Sequence, residues 1–354
     1  MSALNTPEAI RAGEELDCVT LAAHLQANIP GCAGPLTIQQ FPSGYSNLTY
    51  LLRFGEREFV LRRPPFGTKA KSAHDMGREF RVLSALHPHF QQAPKPLLYE
   101  EDPALLGAPF YVMERIAGVI IRKQFPEEYT LSSQQHAGLA HSMFELLAEL
   151  HTVDFAAIGL GELGRPQGYV RRQVEGWSRR WSNAHTADAS NCDAVMAWLH
   201  GRIPETSRPA LIHNDYKLDN LVLAPENPLR IIGVLDWEMA TLGDPLMDLG
   251  GSIAYWIQED DPEALQQFRM APMHLNGFPT RQEAVRIYEE CSGVPIAEFT
   301  FYYTFGLFRL AVVMQQIYYR YYHGQTQDSR FAGLTPMVDA LLDQAARVQQ
   351  TGEW

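Results

Sequence analysis

Short runs that alternate between apolar and polar residues dominate the first third of the chain and predict β-strands. A turn at Gly55-Glu56-Arg57 separates two of these runs and predicts a hairpin. The predicted strands cover residues 36–38, 48–54, 58–62, 97–99 and 109–114. Together they indicate one antiparallel sheet.

Apolar residues at helical spacing predict the remaining elements. One or two short helices are expected within residues 7–29, and another over residues 72–87. Beyond the sheet the chain becomes mainly helical, with helices expected at 133–151, 169–184, 191–200, 246–257, 280–291 and 296–322. We therefore predict an α+β fold with two lobes. Residues 1–117 form the sheet-containing lobe, Ile116-Ala117-Gly118 forms a hinge, and residues 118–354 form the helical lobe.

Composition narrows the class of protein. The 354 residues are 46% hydrophobic, which is enough for a large ordered core. The net charge of −12 argues against a nucleic-acid partner held on a broad basic surface. Four scattered cysteines without a C-x-x-C pair argue against a zinc site and a disulfide framework.

The N-terminal segment and the length of the apolar stretches indicate where in the cell the protein is expected. Residues 1–20 carry several acidic side chains and no apolar core, unlike a signal peptide. Since no window reaches about 18 uncharged apolar residues, we expect no membrane span. The cytoplasm is the expected location, and the sequence indicates no particular oligomeric state.

The segment from His213 to Asn220 carries the strongest chemical signal. It reads H-x-D-x-x-x-x-N, and an apolar run ends at Asp236. Phosphoryl transfer needs a carboxylate near the acceptor hydroxyl, and an amide and a second carboxylate to hold magnesium. Asp215, Asn220 and Asp236 supply these groups, and a predicted hairpin between Asn220 and Asp236 strengthens the signal.

These residues give the chain a resemblance to a known family. From about Phe41 to about Gly324 it resembles the aminoglycoside phosphotransferase and choline kinase-like family, which has the protein-kinase-like fold. It is most similar to the subgroup that includes the kinase-like domain fused to acyl-CoA dehydrogenases. The landmarks are residues 43–50, 60–65, 78–80, 213–220 and 235–250. The resemblance implies ATP or GTP and Mg²⁺ as cofactors and a small molecule with a hydroxyl group as substrate.

The nucleotide-binding residues are assigned by position. The turn formed by Ser43, Gly44, Tyr45, Ser46 and Asn47 is expected to cover the phosphates, although it could be an ordinary β-turn. The backbone of Met113, Glu114 and Ile116 is expected to read the adenine.

Arg62 departs from the protein-kinase pattern, because it takes the place of the strand lysine. We expect it to bind phosphate oxygens and to pair with Glu79, while Val60 on the same strand face lines the adenine pocket. Both Arg62 and Arg63 could instead be solvated edge charges. For Arg63 we favour that interpretation.

In the catalytic segment, Asp215 is expected to accept the proton of the acceptor hydroxyl or to orient that hydroxyl. Lys217 coincides with the lysine that stabilises the transferred group in protein kinases, and Asn220 and Asp236 are the expected metal ligands. Two further acids have structural interpretations, with Asp244 capping a helix ahead of Pro245 and Asp248 bonding the catalytic loop.

The acceptor side is less defined. Segment 299–322 is rich in aromatic residues, and Arg309 within it needs a partner, either Asp248, another acid or a substrate carboxylate. Few acids lie there, which disfavours an aminoglycoside, and the subgroup resemblance implies a hydroxyacyl compound as one candidate. Two alternatives are a catalytically silent nucleotide-binding scaffold and a protein kinase. The protein kinase is disfavoured because the activation segment is missing.

Overall fold

The computed structural model describes residues 6–42, 47–66, 75–204 and 208–354. The chain divides into two compact units. Unit 1 comprises Met1–Ile120, Pro126–Glu128 and Asn220–Ala240, and unit 2 comprises Ile121–Phe125, Tyr129–Asp219 and Thr241–Trp354.

The N-terminal part of unit 1 is an antiparallel sheet with two helices. Its elements are α1 (Cys18–Asn28), β1 (Leu36–Gln40), β2 (Leu48–Phe54), β3 (Arg57–Arg63), α2 (Met76–Leu86), β4 (Pro96–Glu100) and β5 (Phe110–Glu114). The strand order is β1-β2-β3-β5-β4. The predicted hairpin is confirmed, because Phe54 pairs with Arg57 and Gly55 takes the positive φ that the tight turn requires.

The ends of the two helices differ from the predicted ranges. Asp17 caps α1, so that helix covers only the second half of the range expected within residues 7–29. The first half is not helical because Glu8 pairs with Gln40 at the edge of the sheet. Asp75 caps α2 by accepting a hydrogen bond from the N–H of Arg78, and residues 72–74 of that prediction lie outside the described residues.

The core of unit 1 forms between α1 and the sheet. The side chains that share this core are buried completely or nearly so: Leu21, Leu25, Tyr50, Leu52, Phe59, Leu61, Phe110 and Val112. The helix α2 packs on β4 and β5, where Phe80 stacks on Tyr99 with ring centroids 5.6 Å apart. This packing fixes α2 beside the strand that carries Arg62.

The remainder of the chain is mainly helical with short strands. Its elements are α3 (Ser133–Thr152), α4 (Tyr169–Asn183), α5 (Asp193–Gly201), β6 (Ala210–Ile212), β7 (Leu221–Ala224), β8 (Asn227–Val234), β9 (Thr241–Gly243), α6 (Pro245–Ile253), α7 (Glu263–Gln266), α8 (Arg281–Ser292), α9 (Thr300–Tyr322) and α10 (Thr335–Thr351). The sequence had not predicted α7, α10 or the pairing of β6 with β9.

The hairpin of β7 and β8 belongs to unit 1, whereas the sequence analysis had assigned residues 220–240 to the C-terminal lobe. Two backbone contacts account for this difference. Val119 pairs with Leu223, and the N–H of Val234 donates to the carbonyl of Gln92 at 2.8 Å. Residues near the candidate metal ligands are therefore tied to the same unit as the sheet.

Unit 2 is organised around α9, which is largely buried. A close crossing of α6 and α9 depends on two glycines, because a Cβ on Gly306 would lie 2.2 Å from the carbonyl oxygen of Gly250. Asp244 caps α6 as predicted, accepting from the N–H of Leu246 at 2.9 Å. Within the part of the chain that the structure describes, no helix is both long and apolar enough to cross a membrane.

Candidate active site

Arg62 and Glu79 form a buried ion pair in unit 1. Nη1 of Arg62 lies 2.8 Å from Oε1 of Glu79, and the Glu79 side chain is 1% exposed. Arg62 faces Thr49 on β2 and Tyr111 on β5, so it is on an interior strand. Burial works against a charged guanidinium, but the carboxylates of Glu79 and Asp236 raise the pKa of Arg62 well above its usual range. The guanidinium of Arg62 therefore stays positively charged.

Asp236 follows β8 and forms an ion pair with the same guanidinium. Nη2 of Arg62 lies 2.9 Å from Oδ1 of Asp236. Asp236 has a φ of 69°, a left-handed conformation that is uncommon for residues other than glycine. The next residue holds the turn in place, because Nε1 of Trp237 donates to the carbonyl of Val234 at 2.7 Å and its ring packs edge-on against Phe90. The strained backbone at Asp236 is thus supported by a buried indole.

Asn220 lies next to the Asp236 turn within unit 1. The N–H of Leu235 donates to the carbonyl of Asn220 at 2.8 Å, which places Asn220 across from the residue before Asp236. An amide oxygen and a carboxylate are oxygen donors of the kind that Mg²⁺ prefers. The donor chemistry of these two residues fits the predicted metal.

Glu238 was not predicted as a site residue, although the sequence had marked it as part of the Asp236 motif. Its Oε2 accepts a hydrogen bond from Nδ2 of Asn47 at 2.7 Å and lies 3.7 Å from Nη2 of Arg62. Arg78 on α2 donates to the backbone carbonyls of Glu238 and Ala240. The segment after Asp236 is thereby bonded to both α2 and the start of β2.

The residues predicted to bind the nucleotide base lie on adjacent strands. Val60 is opposite Met113 in the pairing of β3 with β5, and both are buried. Glu114 ends β5, and Ile116 packs close to Gly233, where a Cβ would lie 2.8 Å from the Ile116 side chain. Asn47 is buried, whereas Ser43, Gly44, Tyr45 and Ser46 lie outside the described residues. Their roles stay predictions.

The expectation for Arg63 was wrong. Its side chain is 1% exposed rather than solvated. Nη1 donates to the carbonyl of Leu106 at 2.9 Å, and the guanidinium carbon lies 3.7 Å from the ring centroid of Phe66. β3 lies between β2 and β5, so Arg63 is not on an edge strand, and because side chains alternate along a strand it points into protein on the face opposite Arg62.

In unit 2, Asp248 holds the backbone of the catalytic loop. Its two carboxylate oxygens accept from the N–H groups of His213 and Asn214, each at 2.7 Å. Nε2 of His151 lies 3.2 Å from the same carboxylate. Asn214 has a φ of 67°, which asparagine tolerates better than most residues. The predicted role of Asp248 is confirmed, and the backbone of the two residues before Asp215 is held in a fixed conformation.

Asp215 and Lys217 pair directly within unit 2. Nζ of Lys217 lies 3.1 Å from Oδ2 of Asp215 and 3.9 Å from Oδ1 of Asp219. It also lies 5.0 Å from the ring centroid of Tyr255. Burial would lower the pKa of Lys217, but Tyr255 and the two carboxylates outweigh it and raise that pKa. Burial also raises the pKa of Asp219, a residue that sequence reasoning did not single out.

A partly open cavity lies beside Lys217 in unit 2, and the empty space in and around it, about 370 Å³, includes open solvent. Its polar lining comes from Tyr216, Lys217, Asp219, Ser252 and Tyr255. Its wall is mostly apolar and includes Met143, Phe144, Trp256, Met270, Ala271 and Met273. The cavity can hold an apolar group next to charged residues of the catalytic loop.

Arg309 also contacts the catalytic loop. Its Nη2 donates to the carbonyl of Asn214 at 2.6 Å, and the hydroxyl of Tyr169 donates to Oδ1 of the same residue at 3.0 Å. The sequence had suggested an acid or a substrate carboxylate as the partner of Arg309. A backbone carbonyl is a partner that side-chain patterns do not reveal.

Known proteins are similar to this chain in sequence. Residues 37–282 match the model of the phosphotransferase enzyme family. Acyl-CoA dehydrogenase family members 10 and 11 of Mus musculus are 36% and 33% identical to the chain, over 84% and 95% of its length. The matched regions are 28% and 44% of those relatives, so the chain spans less than half of their length.

Solved structures confirm the predicted α+β, protein-kinase-like fold. A provisionally assigned aminoglycoside phosphotransferase from Ralstonia eutropha matches with a TM-score of 0.79 and 30% identity, covering 94% of this chain and 99% of that one. The GDP complex of aminoglycoside 2'-phosphotransferase-IIIa matches with a TM-score of 0.62 and 12% identity, covering 95% and 100%. A choline kinase from Cryptosporidium parvum has the same fold, with a TM-score of 0.64 and 11% identity, covering 95% and 97%.

Proposed function

The chain belongs to the phosphotransferase enzyme family, and we propose that it transfers the γ-phosphate of ATP or GTP to a hydroxyl of a small molecule. The observation that carries this proposal is the buried Arg62–Glu79 pair with Asp236 on the same guanidinium. A buried charge is costly unless it is paired, and sites that hold one are often functional. The GDP complex of a neighbour with this fold supports nucleotide use.

Unit 1 would bind the nucleotide. Arg62 would contact phosphate oxygens while Glu79 fixes its orientation, and Val60 and Met113 would enclose the base. Asn220 and Asp236 would hold Mg²⁺, which, when bound, neutralises charge on the phosphates. Asn47 would support the phosphate turn from its bond to Glu238.

Unit 2 would supply the acid–base chemistry. Asp215 would accept the proton of the acceptor hydroxyl or orient that hydroxyl towards the phosphorus. Lys217, held 3.1 Å from Asp215, would orient that carboxylate and would stabilise the transferred group. Asp248 would fix the loop through backbone contacts rather than touch the reactants, and Arg309 bonds to the loop at the carbonyl of Asn214.

The cavity beside Lys217 favours an acceptor that is partly apolar. Methionine and aromatic side chains line most of it, whereas an aminoglycoside carries several ammonium groups that need acidic partners. A hydroxyacyl compound has a hydroxyl that can receive the phosphate and an apolar chain that can contact the cavity wall. An aminoglycoside acceptor is the less favoured alternative.

One observation favours a second function, a catalytically silent nucleotide-binding scaffold. Arg62 stands where protein kinases have lysine, and it bonds directly to the predicted metal ligand Asp236. If that bond persists when nucleotide binds, it competes with the metal.

A screen of hydroxylated metabolites for ATP consumption separates the two functions. Asp215→Asn serves as the control that should bind nucleotide with strongly reduced turnover. Turnover in wild type that depends on Asp215 supports the enzyme. Nucleotide binding without phosphoryl transfer to any hydroxyl in a broad panel supports the scaffold.

A further inference from the structure

Two arginines share the ring of Trp177 in unit 2. The guanidinium carbon of Arg180, on α4, lies 4.3 Å from the ring centroid, and that of Arg309, on α9, lies 5.4 Å from it. The indole is 6% exposed, and its Nε1 donates to Gln173 at 3.2 Å, so the ring is held in place. In a chain with a net charge of −12, this cluster is a local concentration of positive charge.

The charges acting on Arg180 have the same sign. Partial burial of its guanidinium, followed by the positive charges of Arg309 and Arg179, lowers the pKa of Arg180 from the usual value. Among the residues that the structure describes, no ion pair links Arg180 to a carboxylate, and Arg180 as a whole is exposed. Like charges held close together repel, and an anion between them would relieve that repulsion.

The cluster adjoins the predicted catalytic base. Arg309 donates to the carbonyl of Asn214, the residue before Asp215. The phenol of Tyr255 is within electrostatic reach of Lys217, Asp215 and Arg309 together. An anion near Arg309 would therefore lie close to the catalytic loop within unit 2.

We infer that Arg180 and Arg309, stacked on Trp177, form a subsite for an anionic group of the acceptor, either a carboxylate or a phosphate. Guanidinium groups match both anions with paired N–H donors, and the indole keeps the two side chains oriented. The identity of the ligand as the acceptor rests on the proposed phosphotransferase function. The subsite would also repel the ammonium groups of a cationic acceptor.

The test follows the indole N–H signal of Trp177 by NMR in protein labelled with ¹⁵N-tryptophan. The chain has six tryptophans. The variant Trp177→Phe identifies the signal. Inorganic phosphate and acetate are titrated separately at constant ionic strength. We expect a saturable shift in the wild type, and about tenfold weaker binding in Arg180→Gln because a charge-assisted contact is lost.

A matched control is Arg171→Gln, which removes the same charge from an exposed position on the same helix. It should titrate like the wild type. A signal that stays still, shifts without saturating, or responds equally in Arg180→Gln and Arg171→Gln would overturn the subsite. Saturation by phosphate alone or by acetate alone would identify which anion the subsite takes.

The link to the acceptor is tested separately from nucleotide chemistry. Hydroxy carboxylates and their uncharged amides are compared as acceptors, and Arg180→Gln should reduce the preference for the acid about tenfold while leaving the KM for ATP unchanged. Anion binding at Trp177 without any turnover would leave the subsite standing and contradict the proposed function. Turnover without anion binding at Trp177 would contradict the subsite alone.

Discussion

Arg62 bonds directly to Asp236, with 2.9 Å between Nη2 and Oδ1. The bond joins the third strand of the sheet to the turn after β8, and the other nitrogen of the same guanidinium is committed to Glu79 at 2.8 Å. A lysine, with one nitrogen, offers no planar fork with which to hold both carboxylates in this way. The arginine is therefore fitted to a site with two acids, and its substitution should affect both.

Arg62→Ala is expected to weaken ATP binding and turnover together and to lower the free energy of unfolding by about 3–5 kcal/mol, because Glu79 would be left buried without its partner. Arg62→Lys restores a charge without the fork and should recover part of the activity. Calorimetric titration with ATP, turnover on a verified acceptor and urea denaturation measure the three effects. ATP affinity unchanged in Arg62→Ala would remove Arg62 from the nucleotide site.

Arg63→Ala provides the contrast. The side chain is buried, bonds to the carbonyl of Leu106 and stacks on Phe66, on the strand face opposite Arg62. We expect a loss of about 1–3 kcal/mol in stability with little change in ATP affinity. Urea denaturation with Arg53→Ala, a more exposed arginine on the neighbouring strand, as the control measures this cost. A drop in ATP affinity larger than that of Arg62→Ala would show that the two arginines have exchanged roles.

The parts of the fold that sequence predicted well are those where one pattern dominates. The hairpin of β2 and β3 has period-two alternation and a glycine turn, and its register agrees with the predicted strands. The helices α3 and α4 follow their apolar stripes to within one or two residues. Local patterns decided these elements because burial of one face dominates their stability.

Other features depend on contacts that are distant in sequence. Arg63 looked like an edge charge, yet its strand lies between β2 and β5, and its side chain is buried where it bonds to the carbonyl of Leu106, more than forty residues later. The carbonyl of Asn214 as the partner of Arg309, and Glu238 as the partner of Asn47, join segments separated by 95 and 191 residues. A single sequence carries no signal for such pairs, since a backbone carbonyl or an amide has no distinctive pattern.

Asp215→Asn should leave the fold and ATP affinity unchanged and reduce turnover about 10²–10⁴-fold, the usual scale for a positioned acid or base. The loop backbone is held by Asp248, so the substitution should not move it. Asp219→Asn is a close comparison because the carboxylate of Asp219 also lies near Lys217, at 3.9 Å. This substitution should reduce turnover much less than Asp215→Asn. Steady-state kinetics on a verified acceptor decides the matter, and an equal loss in both variants would contradict a special role for Asp215.

Asp236→Asn should remove the magnesium dependence of ATP binding. Asparagine tolerates the positive φ at this position and keeps the size of the side chain, so the change isolates the charge. The metal would lose the carboxylate that this site offers it, and Arg62 would lose one of its partners. ATP is titrated calorimetrically with and without Mg²⁺. If the variant kept the wild-type difference between the two titrations, the metal ligand would lie elsewhere.

Asp244→Asn is expected to stabilise the protein above pH 6 and to have little effect near pH 4. Asp244 is 2% exposed, and burial raises its pKa to about 6 from an ordinary value of 3.8. Between these two pH values the folded state binds more protons than the unfolded chain, so this group's contribution to stability falls as the pH rises.

Asparagine keeps the helix cap to the N–H of Leu246 and carries no charge. The stability of the variant is therefore independent of this titration. The gain at pH 7 should be about 1–3 kcal/mol, the free energy equivalent of a shift of one to two pKa units. Urea denaturation of both proteins from pH 4 to pH 8 should give curves that separate between pH 4 and pH 6 and run parallel above. Curves that stay together across the range would mean that the carboxylate of Asp244 is ionised in the folded protein at no cost.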